Sequence, residues 1–191
     1  VSMKGLLNEG NTVWISEHND PNRKLKFTLE MIKVSNRIIG VNTHRANRIV
    51  EHALNNKLIN EFKLIKSIKA EFKYSQDTRF DFLCDNKILE VKNVTLLRDN
   101  KIAEFPDAVT SRGSKHLKML INSMKKGYKP YVLFLTQIQN INEFKIAKDI
   151  DANYYKDYIE AKKAGVNFLA YRCYLSSKEI KIEKKIKILN E

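Results

Sequence analysis

With 191 residues the chain is long enough for one good hydrophobic core, or for one full domain and part of another. An apolar share of 43 % argues against intrinsic disorder, and no apolar run approaches the roughly 18 residues that cross a bilayer as a helix. Lysine and arginine number 35 against 22 aspartates and glutamates, a net charge of +13 that attracts polyanions, nucleic acid first and membrane surfaces second.

Taken in chain order, residues 1–41 read as β. The first ten, "VSMKGLLNEG", lack the zones of a signal peptide, and a reduced, cytoplasmic protein is expected. "TVWIS" is a short strand, and "EHNDPNRK" is a turn-rich loop. "LKFTLEMIKV" then alternates Phe27, Leu29 and Met31 against Lys26, Thr28 and Glu30, as a half-buried strand does. At Asn42 the period changes. Ala46, Ile49, Val50, Ala53 and Leu54 form the stripe of an amphipathic helix over 44–56, with Asn42 or Thr43 as its N-cap. Strands are expected at 67–74, 79–84 and 88–96. A loop marked by Pro106 leads to a second helix over 111–126, capped by Ser111, with Leu117, Leu120, Ile121 and Met124 inward.

Gly127 stops that helix, and "YVLFLTQI" is the continuous apolar run of a strand buried on both faces. Asp151 caps a third helix through Lys163, which ends at Gly165. "NFLAYRCYL" is a strand, and "EIKIEKKIKIL" alternates as an edge strand with solvent-facing lysines. The order predicts an α/β fold: a β region over 1–41, then a mixed-sheet α/β domain over 42–191. Cys84 and Cys173 lie in apolar strands at a spacing that suits neither a zinc site nor a disulfide scaffold. No basic amphipathic helix with bulky apolar anchors is present, which leaves nucleic acid as the expected partner and gives no support to a membrane.

The chemistry concentrates in "RFDFLCDNKILEVKN", residues 79–93. Side chains alternate across a sheet, so Glu90 and Lys92 share a face of the second strand with Ile88 and Val94. On the first strand Asp81 shares a face with Arg79 and Leu83, while Phe80, Phe82 and Cys84 take the other. The tight Asp85–Lys87 connection brings Asp81 within reach of Glu90. Unpartnered charges inside a sheet cost several kcal/mol, so a site or a tight ion-pair network is required. Two carboxylates beside a lysine suit Mg²⁺ or Mn²⁺, which activates water for attack on a phosphodiester while the lysine stabilises charge on the phosphate. A plain Glu–Lys pair on an edge strand is the structural alternative, since the E-x-K tripeptide is common by chance.

A helix, a strand, a strand with Asp, a strand with E-x-K and a further helix resemble the core of the restriction-endonuclease-like PD-(D/E)xK superfamily. Longer runs narrow this. "GVNTHRANRIVEHAL", "RFDFL", "EVKNVTL", "FPDAVTSRGSKHL" and "LAYRC" are similar to the signature blocks of the sugar fermentation stimulation protein A family. The resemblance implies DNA binding, an N-terminal OB-like barrel before a nuclease-like domain, and a link to sugar, notably maltose, metabolism. It begins part-way through the OB-like region, so only part of that barrel is expected. It places Asp81, Glu90 and Lys92 at the nuclease triad positions and Glu51 at a first-helix acid that some members use for metal. Arg79, two residues before the triad Asp, is expected to contact nucleic acid, as are Arg112, Lys115 and His116. Asp107 and the Arg112, Lys115, His116 group fall in the remaining dense block, where the helix start and two cations suit a phosphate. Trp14 and Phe27 are candidate base-stacking residues, with core packing the plainer role. Two functions stay open: a metal-dependent nuclease, and a non-catalytic DNA-binding regulator. The residues themselves do not separate DNA from RNA; the resemblance implies DNA.

Overall fold

The change of hydrophobic period near Asn42 is a change of architecture. A computed structural model describes Leu6 and residues 8–99 and 101–189. Before the change, β1 (Val13–Glu17), β2 (Phe27–Val34) and β3 (Arg37–Gly40) form an antiparallel sheet in that order. Phe27 is 50 % exposed with the Lys26 ammonium over its ring, so the core role does not hold for it, whereas Trp14 is half-buried.

After it comes α1 (Arg45–Asn55), then strands β4 (Ile68–Ser75), β5 (Thr78–Cys84) and β6 (Lys87–Val94). Short strands β7 (Leu96–Leu97) and β8 (Ile102–Phe105) lead to α2 (Ser111–Met124) and β9 (Lys129–Thr136). The chain closes with β10 (Glu143–Ile146), α3 (Ala152–Ala164), β11 (Asn167–Leu175), β12 (Ile180–Lys185) and β13 (Lys187–Ile188). Six strands make the main sheet in the order β12-β11-β9-β6-β5-β4. Its centre, β6, β9 and β11, is parallel, and its flanks are antiparallel.

Both faces of that centre are covered. Leu89, Val91, Leu133 and Leu135 pack with the α1 stripe, and Ile88, Val94, Val132 and Phe134 pack with residues of α2 and α3. This is why "YVLFLTQI" is apolar without alternation. The second sheet, β13-β10-β8-β7, lies outside the sequence-based expectation because its strands have only two to four residues.

Two helix starts differ from expectation. His44, not Asn42 or Thr43, occupies the N-cap of α1 and makes no side-chain cap bond. Asn42 lies just ahead of the helix: its Oδ1 accepts from the His44 amide at 3.1 Å, and its NH2 donates to Glu30 at 3.0 Å. Thr110 rather than Ser111 caps α2, accepting from the Gly113 amide at 3.1 Å. The Asp151 cap and the Gly165 stop are as expected, with Gly165 at φ +109°. Asp151 also accepts from the Thr110 amide at 2.8 Å, tying the starts of α2 and α3 together. The lysine-rich C-terminal run divides at buried Ile186, leaving β12 as the sheet edge and sending β13 to the second sheet.

The N-terminal sheet is joined to the main one by backbone. Gly40 N–H donates to Gln137 C=O at 2.8 Å, and Gln139 N–H donates to Ile38 C=O at 3.0 Å. A Cβ on Gly40 would lie 2.6 Å from Gln137 Oε1 and 3.1 Å from its Cβ, so any side chain here would push the buried Gln137 aside.

Candidate active site

Strand β5 does not keep one alternation along its length. Phe80 packs in the α2-side core, while Phe82 and Cys84 pack in the α1-side core, so the pattern slips at Asp81. The expectation that Phe80 and Phe82 share a face is therefore corrected. The cause lies in the neighbours. Opposite, Glu71 adopts φ +53°, and the β4–β5 pairing passes from Phe72↔Phe80 to Ala70↔Phe82 without it. On the other side the β5–β6 ladder ends at Phe82↔Leu89. Asp81 thus leaves the ladder, and its carboxylate takes over where backbone pairing stops. Oδ2 accepts from the Val91 amide at 2.7 Å, and Oδ1 accepts from the Asn47 side-chain amide of α1 at 2.8 Å.

Glu90 is 4 % exposed on central strand β6. Its Oε1 receives two partners, Lys92 Nζ at 2.6 Å and His116 Nδ1 of α2 at 2.5 Å. Its Oε2 is buried and has no hydrogen-bond partner. Burial pushes the Glu90 carboxyl up, but the Lys92 charge and the His116 contact outweigh this and hold it below the usual range. Asp81 goes the other way. Burial first, then the negative charge of Glu90, raise it to about 6, against the lowering pull of the Val91 amide and Asn47. One carboxyl kept ionised beside one that holds its proton toward neutrality is an arrangement characteristic of functional sites.

The cations expected to meet nucleic acid come together as well. Arg79, Arg112, Lys115 and His116 line one cleft of about 370 Å³, joined there by Lys73. Arg79 also makes a long, exposed pair with Glu71 at 3.4 Å. His116 belongs to both places: it is a wall of the cleft and the partner of Glu90. Its ring packs edge-on to Phe80.

Glu51 does not join the site. It is exposed on α1, one turn beyond Asn47. Among the described residues, no group of three or more His, Cys, Asp or Glu side chains is arranged to hold a metal ion. The α1 residue that reaches Asp81 is Asn47, which the sequence reading missed; its polar side chain next to buried Ala46 was the available signal. The His116–Glu90 contact was also missed, because it links residues 26 positions apart. Among the described residues, no helix is long and apolar enough to cross a membrane.

Comparison with known proteins identifies the family of the chain. Residues 44–179 match the family described as the sugar fermentation stimulation protein RE domain, and residues 2–41 match the SfsA N-terminal OB domain. A sugar fermentation stimulation protein homolog of Pelagibacter ubique is 63 % identical over 193 residues, covering 99 % of this chain and 83 % of that protein. The homolog of Brucella anthropi is 38 % identical over 192 residues, covering 98 % and 83 %. In three dimensions the chain is similar to Pyrococcus furiosus SfsA, solved in complex with Ca²⁺, with a TM-score of 0.86 at 23 % identity over 97 % of this chain and 80 % of that one. The chain belongs to the sugar fermentation stimulation protein (SfsA) family, with an N-terminal OB domain followed by a mixed-sheet α/β domain.

Proposed function

We propose that this protein is a divalent-metal-dependent nuclease acting on DNA, built on a PD-(D/E)xK-type core. The observation that carries the reading is the bare Glu90 Oε2, buried beside Asp81 and Lys92 next to an open cationic cleft. A carboxylate oxygen left unmatched in a protein interior costs about 1–3 kcal/mol or more. A purely structural Glu–Lys pair gains nothing from that cost; a cation-binding oxygen requires it.

The donor set fits a hard cation. Asp81 and Glu90 supply oxygens only, and Mg²⁺ is commonly held by one or two carboxylates while it keeps several waters. The absence of a third acidic or imidazole ligand among the described residues is compatible with that mode. The Ca²⁺ in the Pyrococcus furiosus relative has the same preference for oxygen. Asp81 and Glu90 would hold Mg²⁺ or Mn²⁺, which when bound supplies Lewis acidity and a water of lowered pKa.

The remaining work falls to the chain. Lys92 offers positive charge where a phosphodiester gains negative charge, and it is largely shielded from water. Arg112, Lys115 and Arg79 supply the phosphate contacts that position a strand without reading its sequence. His116 and Asn47 fix the two carboxylates from opposite helices.

The test combines metal binding with cleavage. Supercoiled, linear and single-stranded DNA are incubated with Mg²⁺, Mn²⁺ or EDTA, using the wild-type protein and Glu90→Gln. Metal-dependent cleavage, with both cleavage and metal binding lost in Glu90→Gln, is the expected result. DNA binding without a metal site or cleavage would leave the other reading, a non-catalytic DNA-binding regulator of sugar metabolism.

A further inference from the structure

A second cavity, of about 360 Å³, lies where the N-terminal sheet meets α1 and the turn between β11 and β12. It shares no lining residue with the cationic cleft of the active site. Its size is within the range of small-molecule sites, and junctions between domains are where such sites recur. Trp14, Met31, Ile49 and Ile180 give it an apolar surface.

The charges around it do not cancel. Glu30 lines the cavity, but Arg45 grips its carboxylate through two nitrogens, and Ser16 and Asn42 bond it too. Burial acts to raise Glu30, yet these bonds hold it at about 2, so it stays ionised and paired. Glu179 is paired with Lys181 at 2.7 Å. Arg48 and Lys178 also line the cavity, are exposed, and make no ion pair among the described residues. The unspent charge is positive, and an indole lines the same cavity.

A small inorganic anion would leave the apolar surface unused, and an uncharged apolar ligand would leave Arg48 and Lys178 without a partner. A planar ring joined to a phosphate uses both. We propose that this cavity binds one nucleotide unit, base against Trp14 and phosphate between Arg48 and Lys178, as a free nucleotide or as part of a single strand. The proposal does not depend on the nuclease reading, because none of the triad residues lines the cavity.

Trp14 is the only tryptophan in the chain, so its fluorescence reports on this cavity alone. AMP is titrated in EDTA, with adenosine, inorganic phosphate and a short single-stranded oligonucleotide as parallel arms. The expected result is a saturable change in emission with AMP, with adenosine and phosphate each weaker by about tenfold or more. Arg48→Glu and Lys178→Glu should each weaken AMP by about tenfold, while Glu90→Gln leaves the titration unchanged. An oligonucleotide that binds tighter than AMP identifies a strand as the source; the reverse identifies a free nucleotide. No saturable change with either probe overturns the proposal, as does a change that survives both charge reversals intact.

Discussion

Replacing Lys92 with Met tests whether Glu90 is held in the sheet by charge. The Lys92 and Glu90 side chains are 13 % and 5 % exposed, with 2.6 Å between Nζ and Oε1. Methionine keeps the apolar length of the stem, so the change removes the ammonium without opening a large cavity. Breaking a buried pair by removing one partner costs about 3–5 kcal/mol. Because His116 remains 2.5 Å from the same oxygen, the lower end applies. For a chain of this size each kcal/mol moves Tm by about 2–4 °C, so a loss of about 3 kcal/mol lowers Tm by roughly 6–12 °C. Thermal unfolding in EDTA, followed by circular dichroism, measures it. Lys92→Met combined with Glu90→Gln removes both charges and should recover most of the loss. A Lys92→Met protein that melts within a degree of wild type in EDTA would refute the reasoning, since Glu90 would then need no counter-charge.

Asp81 predicts a stability change of definite sign with pH. Its folded carboxyl is raised to about 6, chiefly by burial, against about 3.9 in an unfolded chain. The folded chain therefore holds the proton more tightly. The resulting stabilisation is complete below about pH 4 and is lost as pH rises through about 6. In metal-free protein, ionised Asp81 costs about 3 kcal/mol by pH 8. Asp81→Asn loses one of the two acceptors but does not carry the charge cost, so its stability relative to wild type in EDTA should improve by about 3 kcal/mol from pH 4 to pH 8; urea unfolding at the two pH values reads this, and a relative stability that is flat or falls toward pH 8 would contradict it. In the cationic cleft, Arg112→Ala and Lys115→Ala should each reduce the slope of log affinity for DNA against log salt by about one. Slopes unchanged in both variants would put the DNA elsewhere.

The central part of this architecture was legible because burial on two faces leaves a strong mark. "YVLFLTQI" cannot be an exposed strand, and the Ala46-to-Leu54 stripe cannot be a strand at all. The cluster of Asp81, Glu90 and Lys92 was legible for the opposite reason: these residues break an apolar pattern that otherwise favours uninterrupted burial. What stayed hidden depends on geometry that one residue cannot announce. The slip of β5 at Asp81 follows from a positive φ at Glu71 on the neighbouring strand, a position that a sequence pattern would not mark. The second sheet was invisible because two-residue strands carry no period. Glu51 was a candidate through the resemblance alone, and its place off the apolar stripe of α1 already suited the exposed position it takes; Asn47, one turn earlier, is the α1 residue that reaches Asp81.

The slip in β5 also explains how the site can use both helix layers. Side chains on one regular face of a sheet would meet only α1 or only α2. At Asp81 the strand changes face, so Asp81 is held by Asn47 of α1 while Glu90 is held by His116 of α2. The two carboxylates are then anchored to two separate helices as well as to β6. Each helix is in turn anchored at its start. Arg45, the first residue of α1, is clamped by Glu30 of the N-terminal sheet, and Asn47 follows two residues later. The start of α2 is tied to that of α3 through Thr110 and Asp151, just ahead of Arg112, Lys115 and His116. The N-terminal sheet is therefore linked to the Asp81 carboxylate through α1, and Glu30 and Arg45 of the same clamp line the Trp14 cavity. The cavity and the candidate site share α1 as a common support: Arg45, Arg48 and Ile49 line the one, and Asn47 holds Asp81 in the other.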